Sequence, residues 1–168
     1  MLFRSFGRAL VVGRSGQDLG SSLLDAAGGD PARLDQLVIR IDRRVSDAEE
    51  RLVFEAADSV WVAYHDHPGM SGVLVQAGQM GLPVFGCRAG AIGLHCREHG
   101  VGIAFDPRDP AAAIAALDQA GADPAAFAAL GVNGYEVFRH FTRAGFRRAL
   151  AGGPQPPAVA SVTGFTNP

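Results

Sequence analysis

Five short apolar runs, separated by stretches that carry helix punctuation, constrain the fold of this chain more than any other feature. They are Ala9–Val12, Gln36–Ile41, Ser59–Ala63, Pro83–Gly86 and Val101–Phe105. Short, nearly unbroken apolar runs of this kind read as strands covered on both faces. Strands that alternate with helices imply βαβ units and a parallel sheet, because parallel neighbours need a crossover between them. The helix signals have identifiable chemistry. Ser46-Asp47-Ala48-Glu49 has the capping-box pattern, with Ser46 as N-cap and Glu49 reaching back. Asp109-Pro110 and Asp123-Pro124 each set an N-cap before a proline at the first helical position. Gly81 before Leu82-Pro83 reads as a helix end running into a strand. Residues 124–150 predict one or two surface helices, interrupted near Gly131-Val132-Asn133-Gly134. Ala151–Pro168 is rich in Gly and Pro, lacks periodicity, and reads as a disordered tail. The expected organisation is one α/β domain over 1–150, Rossmann-like, with a parallel sheet flanked by helices, followed by the tail over 151–168. The ligand site of such a sheet lies beyond the carboxyl ends of its strands.

All 15 positive side chains are arginine, since the sequence holds no lysine. No Walker lysine can therefore hold a phosphate, and no lysine can form a Schiff base. An anion bound here is held by arginine, by backbone N–H groups or by a helix N-terminus. The formal charge is −2 and no basic stripe is evident, which argues against nucleic acid and against anionic membranes as partners. No apolar run approaches a signal peptide or a membrane span. Two cysteines, Cys87 and Cys96, do not make a disulfide framework, so a reducing cytoplasm is the default expectation.

The stretch His65–Phe85 carries the chemistry. It leaves a strand, passes through the small-residue loop Pro68-Gly69-Met70, and enters a helix for which Ser71 is the natural N-cap. The N–H groups of Gly72, Val73 and Leu74 are then free at the first turn, and Gly69 and Gly72 let a phosphate approach the backbone closely. With the helix dipole this makes an anion site without lysine. The bland alternative is an ordinary tight strand-to-helix turn. Gln76 lies four residues after Gly72 and shares its helix face, where it can hydrogen-bond a sugar hydroxyl; otherwise it is a plain solvated residue.

From Ala57 to Asp109 the order of motifs resembles the C-terminal domain of retaining glycosyltransferases of the GT-B architecture, glycosyltransferase family 4-like. The residues are Ala57-Asp58, Ser71-Gly72-Val73-Leu74, Gly81-Leu82-Pro83-Val84, Gly90-Ala91-Ile92-Gly93, Gly100-Val101-Gly102 and Asp106-Pro107-Arg108-Asp109-Pro110. Asn133-Gly134 and the aromatic-rich segment after it resemble the end of that domain. The resemblance implies a nucleotide-diphosphate sugar as donor and no cofactor. It also implies an N-terminal acceptor-binding domain, absent from this chain, as partner. Many members carry two glutamates eight residues apart, and the corresponding positions here are Pro68 and Gln76. Gln76 stands where the family's ribose-holding glutamate would be. With those carboxylates absent, a non-catalytic ligand-binding or regulatory domain is the alternative function. The isolated chain is expected not to transfer sugar.

The substrate-binding candidates are Arg14, His67, Gly69, Met70, Ser71, Gly72, Val73 and Gln76; no catalytic residue is assigned. Arg14 follows the first strand at the ligand edge and is the nearest candidate for a diphosphate clamp, unless it is a solvated loop arginine. His67 lies at the same edge. His65, Asp66 and His67, like His95, Cys96 and His99, lack a complete metal-ligand spacing, so no metal is expected. Phe138, Phe141 and Phe146 point to a helix packed on a neighbour rather than to a ligand cage.

Overall fold

The computed structural model describes residues 2–4, 8–12, 24–25 and 27–152. Arg14 and the tail beyond residue 152 lie outside the described residues. Backbone contacts divide the chain into two units, Met1–Asp58 and Ser59–Pro168.

In the first unit, strand β1 (Leu2–Arg4) runs antiparallel to β2 (Arg8–Val12), with Leu2 opposite Leu10. Only three residues separate them, which suffices for a hairpin but not for a parallel crossover. The parallel expectation holds for the next pair, β2 with β3 (Val38–Ile41), in which Ala9 faces Val38 and Val12 faces Ile41. Helix α1 (Pro31–Leu37) is capped by Asp30, whose side chain accepts from the Ala32 N–H. Gln36 and Leu37 therefore belong to this helix and not to the strand expected at 36–41. An N-cap followed by proline starts the helix, and it runs until Val38 turns extended. Helix α2 (Asp47–Glu55) has the reciprocal capping box expected of Ser46 and Glu49. Arg43 adds an ion pair to Glu49 at 2.6 Å, and these donors hold the Glu49 carboxyl down to about 2.

In the second unit, β4 (Ser59–Val62), β5 (Val84–Cys87) and β6 (Gly102–Phe105) are parallel. Val60 is registered with Val84, and Val84 with Gly102. Val60, Val62, Val84, Ile103, Leu74, Ile92 and Phe138 form a fully buried core between the strands and their helices. The helices are α3 (Gly72–Gln79), α4 (Gly90–His99), α5 (Pro110–Ala122), α6 (Pro124–Phe138) and α7 (Arg143–Leu150). Asp109 and Asp123 cap α5 and α6 through 2.9 Å hydrogen bonds, as their Asp-Pro signals predict.

Helix α3 ends in a Schellman motif. Gly81 sits at φ +69°, its N–H donates to the Gly78 carbonyl, and the Leu82 N–H donates to the Ala77 carbonyl. Helix α6 runs unbroken where the glycines predict an interruption. The reason is packing: Gly131, Asn133 and Gly134 are buried. A Cβ on Gly131 would come within 1.9 Å of the Gly81 carbonyl oxygen, and one on Gly134 within 3.3 Å of the Gly78 Cα. These glycines allow α6 to cross α3 at backbone contact, and their side-chain-free surface outweighs their low helix propensity.

Candidate functional site

A cavity of about 500 Å³ opens at the carboxyl ends of β4, β5 and β6. That is where a parallel sheet with helical crossovers leaves space, because the chain departs from each strand into a loop. The loop after β4 contributes Tyr64, Asp66, His67 and Pro68; the loop after β5 contributes Arg88, Ala89 and Gly90. Asp106, Pro107 and Arg108 come from the loop after β6.

The three loops are tied together by the backbone. The Ala91 N–H donates to the Pro68 carbonyl at 3.1 Å, and the Arg88 N–H donates to the Phe105 carbonyl at 2.8 Å. Gly90, at φ +69°, permits the close approach, since a Cβ there would lie 2.8 Å from the His67 carbonyl oxygen. Asp106 accepts from the Arg108 N–H and shapes the last loop. Arg97 reaches back from α4 to the Arg88 carbonyl at 2.8 Å.

The charged groups of the cavity divide into two kinds. Arg108 pairs with Asp66 across the opening, a contact that raises the guanidinium further above its ordinary value. Both partners are exposed, so the pair is readily exchanged for another anion. Asp66 itself holds a left-handed backbone at φ +50°, uncommon outside glycine. Arg88 makes no ion pair among the described residues and follows the strand directly. His67 stacks edge-on against Tyr64, and its Nε2 is buried without a hydrogen-bond partner among the described residues. Cys87 is buried at the cavity floor, and burial pushes its thiol upward.

The sequence-predicted residues fall in two places. His67 lines the cavity. Gly69, Met70, Ser71, Gly72, Val73 and Gln76 do not line it, but follow Pro68 directly into α3. Ser71 is the N-cap of α3 by backbone geometry, yet its side chain makes no capping hydrogen bond. The first-turn N–H groups of Gly72, Val73 and Leu74 thus gain no cap from it. Gly69 and Gly72 have nothing within 4 Å of a notional Cβ, which leaves room in front of this helix end. Gln76 is half-buried one turn further along. Sequence reasoning missed Arg88 and Arg108, although both obey the rule that singled out Arg14: an arginine within three residues of a strand's carboxyl end.

The two histidine groups do not assemble a metal centre. His65 is exposed, and His95 stacks on His99 at 5.3 Å and on Phe138 at 5.0 Å. Cys96 is buried in the core, which pushes its thiol up to about 12. Among the described residues no three side chains of metal-ligating type come together, and no helix is long and apolar enough to cross a membrane.

No family model matches the chain, and no curated protein matches it in sequence. Among solved structures it is similar to sucrose-phosphate synthase from Thermosynechococcus elongatus, with 21% identity and a TM-score of 0.65. The match covers 86% of this chain and 39% of that one, so the chain spans less than half of its neighbour's length. At this identity the likeness is one of fold: the chain has the Rossmann-like α/β fold of the C-terminal half of a GT-B architecture.

Proposed function

We propose that this chain binds a nucleotide-diphosphate sugar and supplies the donor half of a glycosyltransferase whose acceptor side lies on a separate α/β domain. One observation carries the reading: a cavity at the strand ends lined by Arg88, which makes no ion pair among the described residues, by the exchangeable Arg108, and by Pro68, three residues before Ser71 at the uncapped start of α3. In this reading the diphosphate lies against the N–H groups of Gly72 and Val73, and Arg88 and Arg108 meet its charge. His67 Nε2 then gains the partner it lacks, and Gln76 meets a hydroxyl of the ribose or sugar. Turnover would come from positioning and from stabilising the leaving diphosphate. The protein would act in the cytoplasm, where nucleotide sugars are at hand.

The test is calorimetry with UDP, GDP and ADP and their sugar conjugates. Binding of at least one is expected, with a loss of about tenfold or more in Arg88→Ala, since a charged contact contributes about 1.5–3 kcal/mol. Gly72→Val is expected to abolish it. A Cβ at Gly72 has no atom within 4 Å among the described residues, and a thermal unfolding curve of Gly72→Val that matches the parent's shows that the loss reports on the ligand. Absence of binding by every nucleotide, or unchanged affinity in both variants, would overturn the proposal.

A second reading, a non-catalytic sensor of the same ligand class, is favoured by Pro68 and Gln76 at the positions where the resembling family has glutamates. Acceptor-dependent release of nucleotide diphosphate, measured with the proposed acceptor domain supplied, separates the two.

A further inference from the structure

We propose that α7 is a membrane-surface helix, which lays Phe146 and Leu150 into an anionic lipid leaflet while Arg143 and Arg147 meet its headgroups. The helix stands apart from the packed core: none of its residues is buried, and only Gly145 is even half-buried. Phe146 is 66% exposed and Leu150 73% exposed, the two most exposed large apolar side chains among the described residues of the second unit. At 100° per residue, Phe146, Ala149 and Leu150 share one arc; Arg143 and Arg147 flank its edge, and Arg148 lies opposite. An apolar arc edged by arginine is the pattern of helices that lie in a bilayer interface, with the long basic side chains rising to the phosphates. Thr142 fixes the start of the helix by accepting from the Gly145 N–H at 3.0 Å, so the arc is presented on an ordered turn. Phe141, half exposed and packed against Phe138, extends the apolar surface toward the core.

Charge selects this occupant. From Val137 to Pro168 the sequence holds four arginines and no carboxylate residue, while the residues before it hold eleven arginines against seventeen carboxylates. Arg139 is paired with Glu136, but Arg143, Arg147 and Arg148 make no ion pair among the described residues. A second copy of the chain docking on this face would bring like charges together. An anionic leaflet offers negative charge over the whole arc and hydrocarbon beneath it.

The experiment is co-sedimentation of the full chain with phosphatidylcholine vesicles, with and without phosphatidylglycerol. Binding is expected only to the anionic vesicles, and it should fall as salt is raised. Removing Arg143 and Arg147 together as glutamines should weaken partitioning about fivefold per charge. Phe146→Ala with Leu150→Ala should weaken it about tenfold or more. Circular dichroism should match the parent in each case, since no buried side chain is touched. Phe146→Trp gives an independent readout: its emission should shift to the blue on anionic vesicles alone. No pelleting, equal pelleting of parent and variants, salt-independent binding to neutral vesicles, or arginine-dependent capture of RNA in preference to vesicles would each overturn the proposal. So would dimer formation through Phe146 and Leu150 without lipid binding.

Discussion

Gly131→Ala tests the packing that positions the candidate site. The added methyl would lie 1.9 Å from the Gly81 carbonyl oxygen, 2.7 Å from its carbonyl carbon and 3.1 Å from Pro83 Cδ. The first two atoms are backbone, and they belong to the Schellman turn that ends α3. No rotamer change relieves the contact, so α6 must move away from α3 and β5. Overpacking of this kind costs about 1–3 kcal/mol, and a backbone clash belongs at the upper end. Replacing glycine by alanine inside a helix returns about 1 kcal/mol. The expected net loss is about 2 kcal/mol, or roughly 4–8 °C in Tm for a chain of this size. Gly72→Ala is the control: no atom lies within 4 Å of its Cβ, so stability should stay within about 0.5 kcal/mol. The assay is urea and thermal unfolding followed by the single tryptophan, Trp61, which packs against Phe85 and Phe105 in the same unit. A Gly131→Ala protein as stable as the parent would refute the argument that backbone contact explains the glycine.

Asn133→Ala should cost about 1–3 kcal/mol in the same assay, since this buried amide donates to the Gly100 carbonyl at 3.0 Å and leaves it unpaired when removed. Arg108→Ala should change stability by less than about 1 kcal/mol, because its partner Asp66 is exposed, yet it should weaken anion binding in calorimetry. The depressed Glu49 carboxyl stabilises the folded chain above its ordinary value of 4.5, and that contribution is lost as pH falls toward about 2. An acid titration by circular dichroism should therefore be shallower in Glu49→Gln, and an identical profile would count against Arg43 and, after it, Ser46 as the groups that hold this carboxyl down. Cys96, with its thiol pushed up to about 12, and buried Cys87 should resist alkylation until the chain unfolds, as a timed thiol assay will show.

The parts of this fold visible in the sequence are those set by local chemistry. Ser46-Asp47-Ala48-Glu49, Asp109-Pro110 and Asp123-Pro124 each cap the expected helix, because a side-chain oxygen and two or three N–H groups settle the matter within one turn. The apolar runs placed the strands to within one residue at each end except at Gln36-Leu37, where a helix passes directly into a strand. What stayed hidden depends on contacts between distant residues. Gly131 and Gly134 look like a helix break until Gly78 and Gly81 are seen against them. Leu2–Arg4 is too short to announce itself, and its pairing comes from the neighbouring strand.

The site shows the same division. The turn into α3 at Ser71 was legible because a strand, a small-residue loop and a helix start form a local pattern, but its residues do not line the cavity. The cavity was not, because three loops separated by some twenty residues each close over it, and the sequence does not state which of their side chains turn inward. Arg88 and Arg108 illustrate the point, since one makes no ion pair among the described residues and the other is held by Asp66, forty-two positions away. Net charge misleads in a related way. A formal charge of −2 averages an acidic body with a carboxylate-free, arginine-bearing end, so the sum argues against an anionic surface while its distribution argues for one at α7. The two proposals use the same side chain to meet anions in a chain without lysine. In the proposed function the arginines past the strand ends act through hydrogen bonds from loops; in the proposal for α7 they act as charge along the edge of an apolar arc. Salt should distinguish them, weakening vesicle binding more steeply than nucleotide binding, because contacts inside a cavity are less screened than those on an open helix.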